Sequence, residues 1–331
     1  MGNRILSFIA LALLAGALAA CGGGSSGAGG NLRIVAYSTP KEAYGELIPA
    51  FQRTPEGKDV QFTQSYGASG DQSRAVDSGL PADVVAFSLE PDITRLVESK
   101  KVAPTWNRTP TKGMVTNSVA VLAVRKGNPK NIKTWEDLTK PGVEVLTPNP
   151  VTSGGARWNV MAAYGSQIVQ GKSEQEGIDF LKALFKNVVV QDKAARDALA
   201  TFDGGKGDVL IAYENEAITA QKKGLELDYV IPDQTILIEN PIAVPESSQN
   251  KAKAKAFVDF LQSDPAQRIF ASHGYRPADE KTADRKRFPT PKQLFDITKF
   301  GGWDVVSKKF FDPEGSVMAE IEEGLGVSTG G

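Results

Sequence analysis

The sequence contains very little cysteine and histidine, and this shortage excludes several kinds of functional site. Cys21 and His273 are the single residues of their types among 331. One cysteine cannot form an internal disulfide or a thiolate metal cluster, and one histidine cannot build a two-histidine zinc site. The sequence also lacks a G-x-x-x-x-G-K-[ST] loop, the familiar cradle for ATP phosphates. We therefore expect neither a metal nor a cofactor.

An excess of charge of either sign is also missing. Lys and Arg number 38 and Asp and Glu number 39, which gives a formal net charge of −1. Without a basic field, the chain has no electrostatic means of gathering nucleic acid or coating an acidic membrane surface. Its 41% hydrophobic and 23% charged composition is typical of a globular protein. The length suits about two domains, and we expect no nucleic-acid partner.

Long apolar runs are confined to the N-terminus. Residues 1–20 combine Arg4 with an Ala/Leu-rich stretch, which is the pattern of a secretory signal peptide. The stretch ends in L-A-A-C and resembles a bacterial lipobox, so Cys21 is predicted to carry a lipid at the start of the mature protein. Residues 21–30 then comprise this cysteine and a Gly/Ser tether. We predict an extracytoplasmic protein, on the periplasmic or cell-wall side, attached to the cell membrane by its lipid only.

Strand and helix patterns alternate from Asn31 onward. Residues 31–37 form an apolar strand pattern, and apolar residues then recur at helical spacing from Tyr44 to Phe51. Between them, the sequence Ser38-Thr39-Pro40 predicts a helix start with a hydroxyl cap. The alternation continues along the chain, with a further helix predicted to open over 132–138. Alternating strands and helices predict an α/β protein.

The stretch Thr152-Ser153-Gly154-Gly155, between a strand pattern and a helix pattern, has the composition of an anion site. A helix start leaves N–H groups without intrahelical acceptors and carries a partial positive charge. The glycines let a ligand approach the backbone, and the Ser153 hydroxyl adds a donor. The alternative is that Ser153 only caps the helix and the glycines only form a tight turn. Ser69-Gly70 is a second candidate of the same kind.

Six motifs in a fixed order extend this pattern over nearly the whole mature chain. They are S-Y-G-A-S-G at 65–70, A-D-V-V at 82–85, G-N-P at 127–129 with W-E-D-L at 135–138, T-S-G-G-A-R-W at 152–158, G-D-V-L-I-A-Y-E-N-E-A at 207–217 and G-Y-R-P at 274–277. Together they resemble the bacterial sulfate/thiosulfate-binding proteins that serve importers of the ATP-binding-cassette (ABC) type. One such motif would be weak evidence, but their joint order and spacing are specific.

The resemblance implies a two-lobed α/β periplasmic-binding-protein fold of type II, with the ligand cleft between lobes that are joined by crossing strands. It places the first lobe at 31–118 plus 240–331 and the second lobe at 119–239. It also implies that the protein, acting as a monomer, captures sulfate or thiosulfate and delivers it to the permease subunits of the importer.

Carried over position by position, the resemblance assigns the sulfate ligands to Ser38, Ser69, Ser153, Gly154, Gly155, Ala195 and Tyr213. Family members commonly have Asp in place of Ser38, where the backbone N–H binds, and Trp in place of Tyr213. None of the seven is a carboxylate or a cation. Sulfate only accepts hydrogen bonds near neutral pH, whereas hydrogen phosphate also carries a proton and needs an acceptor. A site made of donors alone therefore favours sulfate.

Other functions remain as alternatives. A tyrosine hydroxyl accepts as well as donates, so Tyr213 keeps molybdate or phosphate as an alternative ligand. A hydrolase acting at Ser153 would need a base, and the chain offers only His273 and no G-x-S-x-G motif, so we predict no enzymatic activity. A purely structural envelope protein would not need several Ser/Gly helix starts. Four residues are either orienting groups near the site or ordinary surface charges: Arg74, Arg157, Glu214 and Glu216.

Overall fold

The computed structural model describes residues 30–279 and 282–326. The predicted signal peptide at 1–20, the predicted lipid-bearing Cys21 and residues 22–29 of the tether lie outside the described residues. Within the two described ranges, no helix is long and apolar enough to span a membrane.

Strands and helices alternate along the chain, as the sequence predicts. The strands are β1 (Asn31–Tyr37), β2 (Gln61–Gly67), β3 (Val84–Ala86), β4 (Met114–Arg125), β5 (Val145–Pro148), β6 (Val188–Asp192), β7 (Val209–Tyr213), β8 (Leu227–Val230), β9 (Gln234–Ala243), β10 (Arg276–Pro277) and β11 (Gln293–Phe295). The helices are α1 (Lys41–Gln52), α2 (Ser69–Asp77), α3 (Glu90–Glu98), α4 (Gly154–Val169), α5 (Glu174–Phe185), α6 (Ala195–Asp203), α7 (Glu214–Lys222), α8 (Lys251–Leu261), α9 (Asp264–Ser272), α10 (Gly302–Phe311) and α11 (Val317–Gly324). Short 3-10 helices cover Glu136–Thr139 and Ile297–Phe300.

The strands join in the order β2-β1-β3-β9-β4-β7-β5-β6. In the first half of the molecule, β1 pairs in parallel with β2 and β3, and α1 to α3 connect these strands. In the second half, β5 pairs in parallel with β6 and β7, connected by α4 to α6 and followed by α7. The antiparallel strands β4 and β9 lie between the halves, since β9 borders β3 and β4 borders β7. This pair of strands therefore connects the two halves.

Burial explains why these segments take these forms. Every residue of β4 except Arg125 is buried, and β7 is buried throughout. Strands covered on both faces need continuous apolar runs, and the sequence shows such runs at 119–124 in β4 and throughout β7. Helix α1 instead buries one face, with Tyr44, Leu47 and Phe51 against the core of the first half.

The predicted helix over 132–138 is wrong, because the structure has only the 3-10 helix Glu136–Thr139 there. Pro141 disfavours helical backbone at the residue before it, and Lys140 accordingly has an extended ψ of 142°. The Asp137 carboxylate also accepts from the backbone N–H groups of Lys133 and Thr134. These bonds give both backbone N–H groups an acceptor, so a longer helix is not needed to satisfy them.

The predicted hydroxyl cap of α1 is also wrong. Pro40 occupies the cap position, and the described residues provide no side-chain cap hydrogen bond there. The Thr39 hydroxyl instead donates to Glu216 Oε1 at 3.3 Å. The Thr39 hydroxyl, which the local sequence suggests as a cap for α1, therefore forms a hydrogen bond with the second half instead.

The C-terminal segment packs against the second half. β11 pairs in parallel with β9, and Phe295, Trp303 and Phe310 share one buried cluster with Trp158 and Tyr164 of α4. The rings of Trp158 and Trp303 meet edge to face, with centroids 4.7 Å apart. The predicted lobe boundaries place the C-terminal segment in the first lobe, and they stay a prediction. The packing described here shows that this segment also covers the second half.

Candidate anion-binding site

A small cavity lies between the two halves, at the carboxyl ends of the parallel strands. About 220 Å³ of space, part of it open to solvent, lies among its wall atoms. The wall residues are Tyr37, Ser38, Thr39, Gly67, Ala68, Ser69, Ser88, Ser153, Gly155, Ala195 and Tyr213. Ligands of open α/β sheets bind at this edge because the loops that follow parallel strands meet there. Among the described residues, none with a charged side chain belongs to the wall.

Helix starts supply much of this wall. α2 begins at Ser69, α4 follows its cap Ser153, α6 begins at Ala195, and α7 follows its cap Tyr213. The first N–H groups of a helix have no intrahelical acceptor, and the helix dipole makes this end partially positive. The cavity therefore offers an anion several donors and a positive potential without a cationic side chain.

The structure brings six of the seven predicted ligand residues to the cavity wall: Ser38, Ser69, Ser153, Gly155, Ala195 and Tyr213. Gly154 lies behind the wall, where a Cβ would be 2.0 Å from Leu89 Cδ2 and 3.0 Å from Ser88 Oγ. At Gly155 a Cβ would instead meet Tyr213 Oη at an ordinary 3.7 Å. The absence of a side chain thus has a different role at each glycine: Gly154 lets the first half approach α4, whereas Gly155 leaves space in the cavity.

Ser153 acts as a helix cap and keeps a proton to donate. Its Oγ accepts from the Ala156 N–H at 3.4 Å, and its own N–H donates to Asn149 O at 2.9 Å. The capping alternative is therefore correct as local structure. A hydroxyl accepts and donates at the same time, so the cap does not use the Ser153 proton.

The hydroxyl of Ser69 is already engaged. It donates to Asp92 Oδ2 at 2.5 Å and accepts from the Ser88 N–H at 2.9 Å. Asp92 is only 3% exposed, and Arg95 Nη1 donates to its other oxygen at 3.2 Å. Because a hydroxyl has a single proton, Ser69 offers the cavity its backbone N–H rather than its side chain.

Ser88 is a wall residue that sequence reasoning missed. Its Oγ lies 2.7 Å from Tyr213 Oη, and both residues are buried. Burial raises the pKa of Tyr213 well above the ordinary value of 10.0, so the phenol keeps its proton at neutral pH. Ser88 comes directly after the apolar strand pattern at 81–87. The rule that ligands bind at the carboxyl ends of strands is the signal that could have found it.

Polar contacts hold the two halves together around the cavity. The Gly70 N–H of α2 donates to Thr152 O at 3.0 Å. Arg196 of α6 donates to Ser38 O at 3.1 Å and to Glu42 Oε1 of α1 at 2.9 Å. The structure is therefore a closed arrangement, in which each half forms hydrogen bonds with the other beside the cavity.

Comparisons with known proteins agree with this geometry. The family described as bacterial extracellular solute-binding protein matches residues 32–276. The chain belongs to this family. It is 42% identical over 330 residues to the sulfate-binding protein of Synechococcus elongatus, covering 93% of this chain and 94% of that protein. It is 37% identical over 328 residues to the thiosulfate-binding protein of Pseudomonas aeruginosa, covering 93% of this chain and 96% of that one.

A solved structure gives the same result for the fold of this solute-binding protein. The sulfate-binding protein SubI from Mycobacterium tuberculosis matches it with a TM-score of 0.83 at 44% identity, covering 85% of this chain and 99% of SubI. The predicted periplasmic-binding-protein fold is thereby confirmed.

Two of the four charged residues of uncertain role are buried in this solute-binding protein. Glu214 forms an ion pair with Arg276 at 2.7 Å, and each side chain is 1% exposed. Burial raises the pKa of Glu214, although the hydrogen bond from Arg276 opposes this. Glu216 Oε2 accepts from the Tyr213 N–H at 3.0 Å, so Glu216 orients a wall residue.

The two arginines lie beside the site without lining it. Arg74 pairs with Asp71 at 2.5 Å, and both side chains are partly exposed. Arg157 Nε donates to Pro150 O at 2.9 Å, in the loop that leads to the start of α4. Arg157 therefore supports this loop, while Arg74 is close to an ordinary surface charge. In the described part of the chain, no group of three or more His, Cys, Asp or Glu is arranged to hold a metal ion.

Proposed function

We propose that this solute-binding protein captures sulfate or thiosulfate between its two halves and delivers it to the permease subunits of an ABC importer. The observation that carries the proposal is a small cavity walled by helix starts and hydroxyls, with no charged side chain among the described wall residues. A dianion that only accepts hydrogen bonds is well matched by neutral, preorganised donors. The sulfate-binding and thiosulfate-binding relatives support the same class of ligand.

The proposed ligands come from both halves. Ser38 and Ser69 belong to the first half, and the second half contributes Ser153, Gly154, Gly155, Ala195 and Tyr213. An anion that binds both sets stabilises the closed arrangement by its preference for that state. In this proposal the permease recognises the closed form across lobes at 31–118 plus 240–331 and at 119–239.

The proposal describes a binding protein and not an enzyme. His273 Nε2 lies 2.9 Å from Glu46 Oε1 on α1, and His273 is not among the residues of the cavity wall. Ser153 caps α4, which accounts for its position without a nucleophilic role. We further propose a monomer that is anchored to the membrane through a lipid on Cys21.

Calorimetric titration with sulfate, thiosulfate, molybdate and phosphate at fixed ionic strength tests the proposal. We expect tight binding of sulfate or thiosulfate and weak binding of the other two anions. Ser166→Ala is the matched control for site variants, because the Ser166 hydroxyl is buried in α4 and donates to Ala163 O at 2.7 Å. A preference for phosphate or molybdate would overturn the ligand assignment. Turnover of activated esters that Ser153→Ala abolishes would overturn the binding-only role.

A further inference from the structure

A tyrosine in the wall poses a chemical problem for a site that selects fully deprotonated anions. An indole N–H only donates, whereas a phenol hydroxyl donates and accepts. The Tyr213 oxygen could therefore accept a hydrogen bond from the P–OH group of hydrogen phosphate, while the Tyr213 hydroxyl donates to another oxygen of the ligand. Discrimination against a protonated oxyanion requires that the acceptor position of this oxygen be filled by the protein.

Ser88 is placed to fill that position. Ser88 Oγ lies 2.7 Å from Tyr213 Oη, and the two residues are 1% and 2% exposed. Within the described residues, neither hydroxyl has another protein hydrogen-bond partner. Both residues are closed off from bulk solvent, and both line the cavity. The Tyr213 oxygen is therefore the available protein acceptor for the Ser88 proton.

The position of Ser88 is fixed by its backbone. Its N–H donates to Ser69 Oγ at 2.9 Å, and its carbonyl accepts from Trp158 Nε1 at 2.8 Å and from Asn240 Nδ2 at 3.1 Å. Gly154 packs beside the side chain, since a Cβ there would lie 3.0 Å from Ser88 Oγ. The hydroxyl is thus held against Tyr213 by contacts from α2, α4 and β9.

We propose that Ser88 is a specificity-determining residue that makes Tyr213 a donor-only group toward the bound anion. The Ser88 proton points to the Tyr213 oxygen and fills its acceptor position, which leaves the Tyr213 proton for the anion. A phenol is a stronger acid than an alcohol, so its proton is the better donor to the anion, the strongest acceptor in the cavity. The two hydroxyls together then present one donor, as an indole N–H would. This inference rests on the proposed function, because it requires an oxyanion in the cavity.

The test compares Ser88→Ala with the wild-type protein and the Ser166→Ala control, using sulfate and phosphate above neutral pH, where most phosphate carries one proton. Without Ser88, the Tyr213 oxygen is free to accept a hydrogen bond from the protonated oxygen of phosphate. We expect the ratio of the phosphate Kd to the sulfate Kd to fall by about 5- to 150-fold in Ser88→Ala, the range for pairing one otherwise unpaired polar group. Sulfate affinity itself should fall by no more than about tenfold.

Two failures are distinguishable in this experiment. Sulfate binding by all three proteins with an unchanged ratio in Ser88→Ala would overturn the role of Ser88 and leave the proposed function standing. No sulfate binding by the wild-type protein would overturn the proposed function itself. Circular dichroism on each protein verifies that the comparison is made between folded chains.

A rescue variant separates specificity from a merely structural role. Tyr213→Trp in the Ser88→Ala background should restore the wild-type ratio, because an indole cannot accept a proton from phosphate. Structural damage from the loss of Ser88 would not be repaired in this way. Neutron diffraction from a sulfate-bound crystal gives a reading that needs no variant. A deuterium on Ser88 Oγ directed at Tyr213 supports the proposal, and one on Tyr213 directed at Ser88 overturns it.

Discussion

Replacing Gly154 by alanine should weaken ligand capture without unfolding the protein. The added Cβ would lie 2.0 Å from Leu89 Cδ2, and 3.0 Å from Ser88 Cβ and Ser88 Oγ. The first distance is far inside van der Waals contact, so Leu89 or the start of α4 must move. Overpacking of this kind costs about 1–3 kcal/mol. Because Leu89 follows β3 and Gly154 begins α4, the cost falls on the contact between the two halves.

The cost should appear in affinity rather than in thermal stability. A loss of about 1–3 kcal/mol corresponds to a sulfate Kd raised by about 5- to 150-fold in calorimetry. The melting temperature without ligand should change little, since an open arrangement relieves the contact. Gly45→Ala is the matched control, because its Cβ position in α1 has no atom within 4 Å apart from its chain neighbours and the backbone of the helix itself. Alanine there should favour the helix by up to about 1 kcal/mol and leave sulfate binding unchanged.

Two results would refute this reasoning. A sulfate Kd of Gly154→Ala within about twofold of the wild-type value would mean that Leu89 and α4 adjust to the added Cβ with no loss of free energy of closure. A lower melting temperature with unchanged affinity would mean that the halves do not separate, so that the overpacking is felt only in unfolding.

Three further changes test other parts of the molecule. Ser153→Ala should weaken sulfate binding by about 1.5–3 kcal/mol in calorimetry, the value for a hydrogen bond to a charged group, and unchanged affinity would remove Ser153 from the ligand set. Burial acts to raise the pKa of Glu42, but hydrogen bonds, chiefly from Arg196, lower it from 4.5 to about 2. Their stabilisation of closure should therefore be complete above about pH 4.5 and lost toward pH 2. Glu42→Gln should remove this pH dependence and weaken sulfate binding by about 1 kcal/mol at neutral pH, a small value because Arg196 is 36% exposed. A pH profile of sulfate affinity that is unchanged in Glu42→Gln would contradict this. Arg276→Met should lower the free energy of unfolding by about 3–5 kcal/mol in chemical denaturation, because Glu214 is left buried without a partner; the added Glu214→Gln change should restore part of the loss.

The order of elements was predictable because it depends on local patterns. Residues 119–124 of β4 show their burial as an unbroken apolar run, and α1 shows its buried face through the spacing of Tyr44, Leu47 and Phe51. These signals are local because burial of one or both faces decides which residues an element tolerates. The helix predicted over 132–138 failed where Pro141, just beyond the pattern, favoured extended backbone.

The site was predictable only where one short segment carries its own chemistry. The Ser/Gly turn before α4 could be identified because a helix start favours a hydroxyl cap, and the start of α2 because small residues follow a strand pattern there. The contact between Ser88 and Tyr213 joins residues 125 positions apart, and neither segment encodes it alone. The use of the Ser69 proton by Asp92, 23 positions away, was hidden for the same reason.

Two buried carboxylates lie directly behind this neutral wall, and their placement has a physical reason. Asp92 accepts the Ser69 proton at 2.5 Å, and Glu216 accepts from the Tyr213 N–H at 3.0 Å and from the Thr39 hydroxyl at 3.3 Å. Each carboxylate bonds to groups of the wall but belongs to no part of it. Their charges would repel a dianion if they faced it, yet behind the wall they orient its residues before the ligand arrives. Orientation fixed in advance reduces the entropy lost on binding, so the protein can use strong charged hydrogen bonds for rigidity while it presents only neutral donors to the anion.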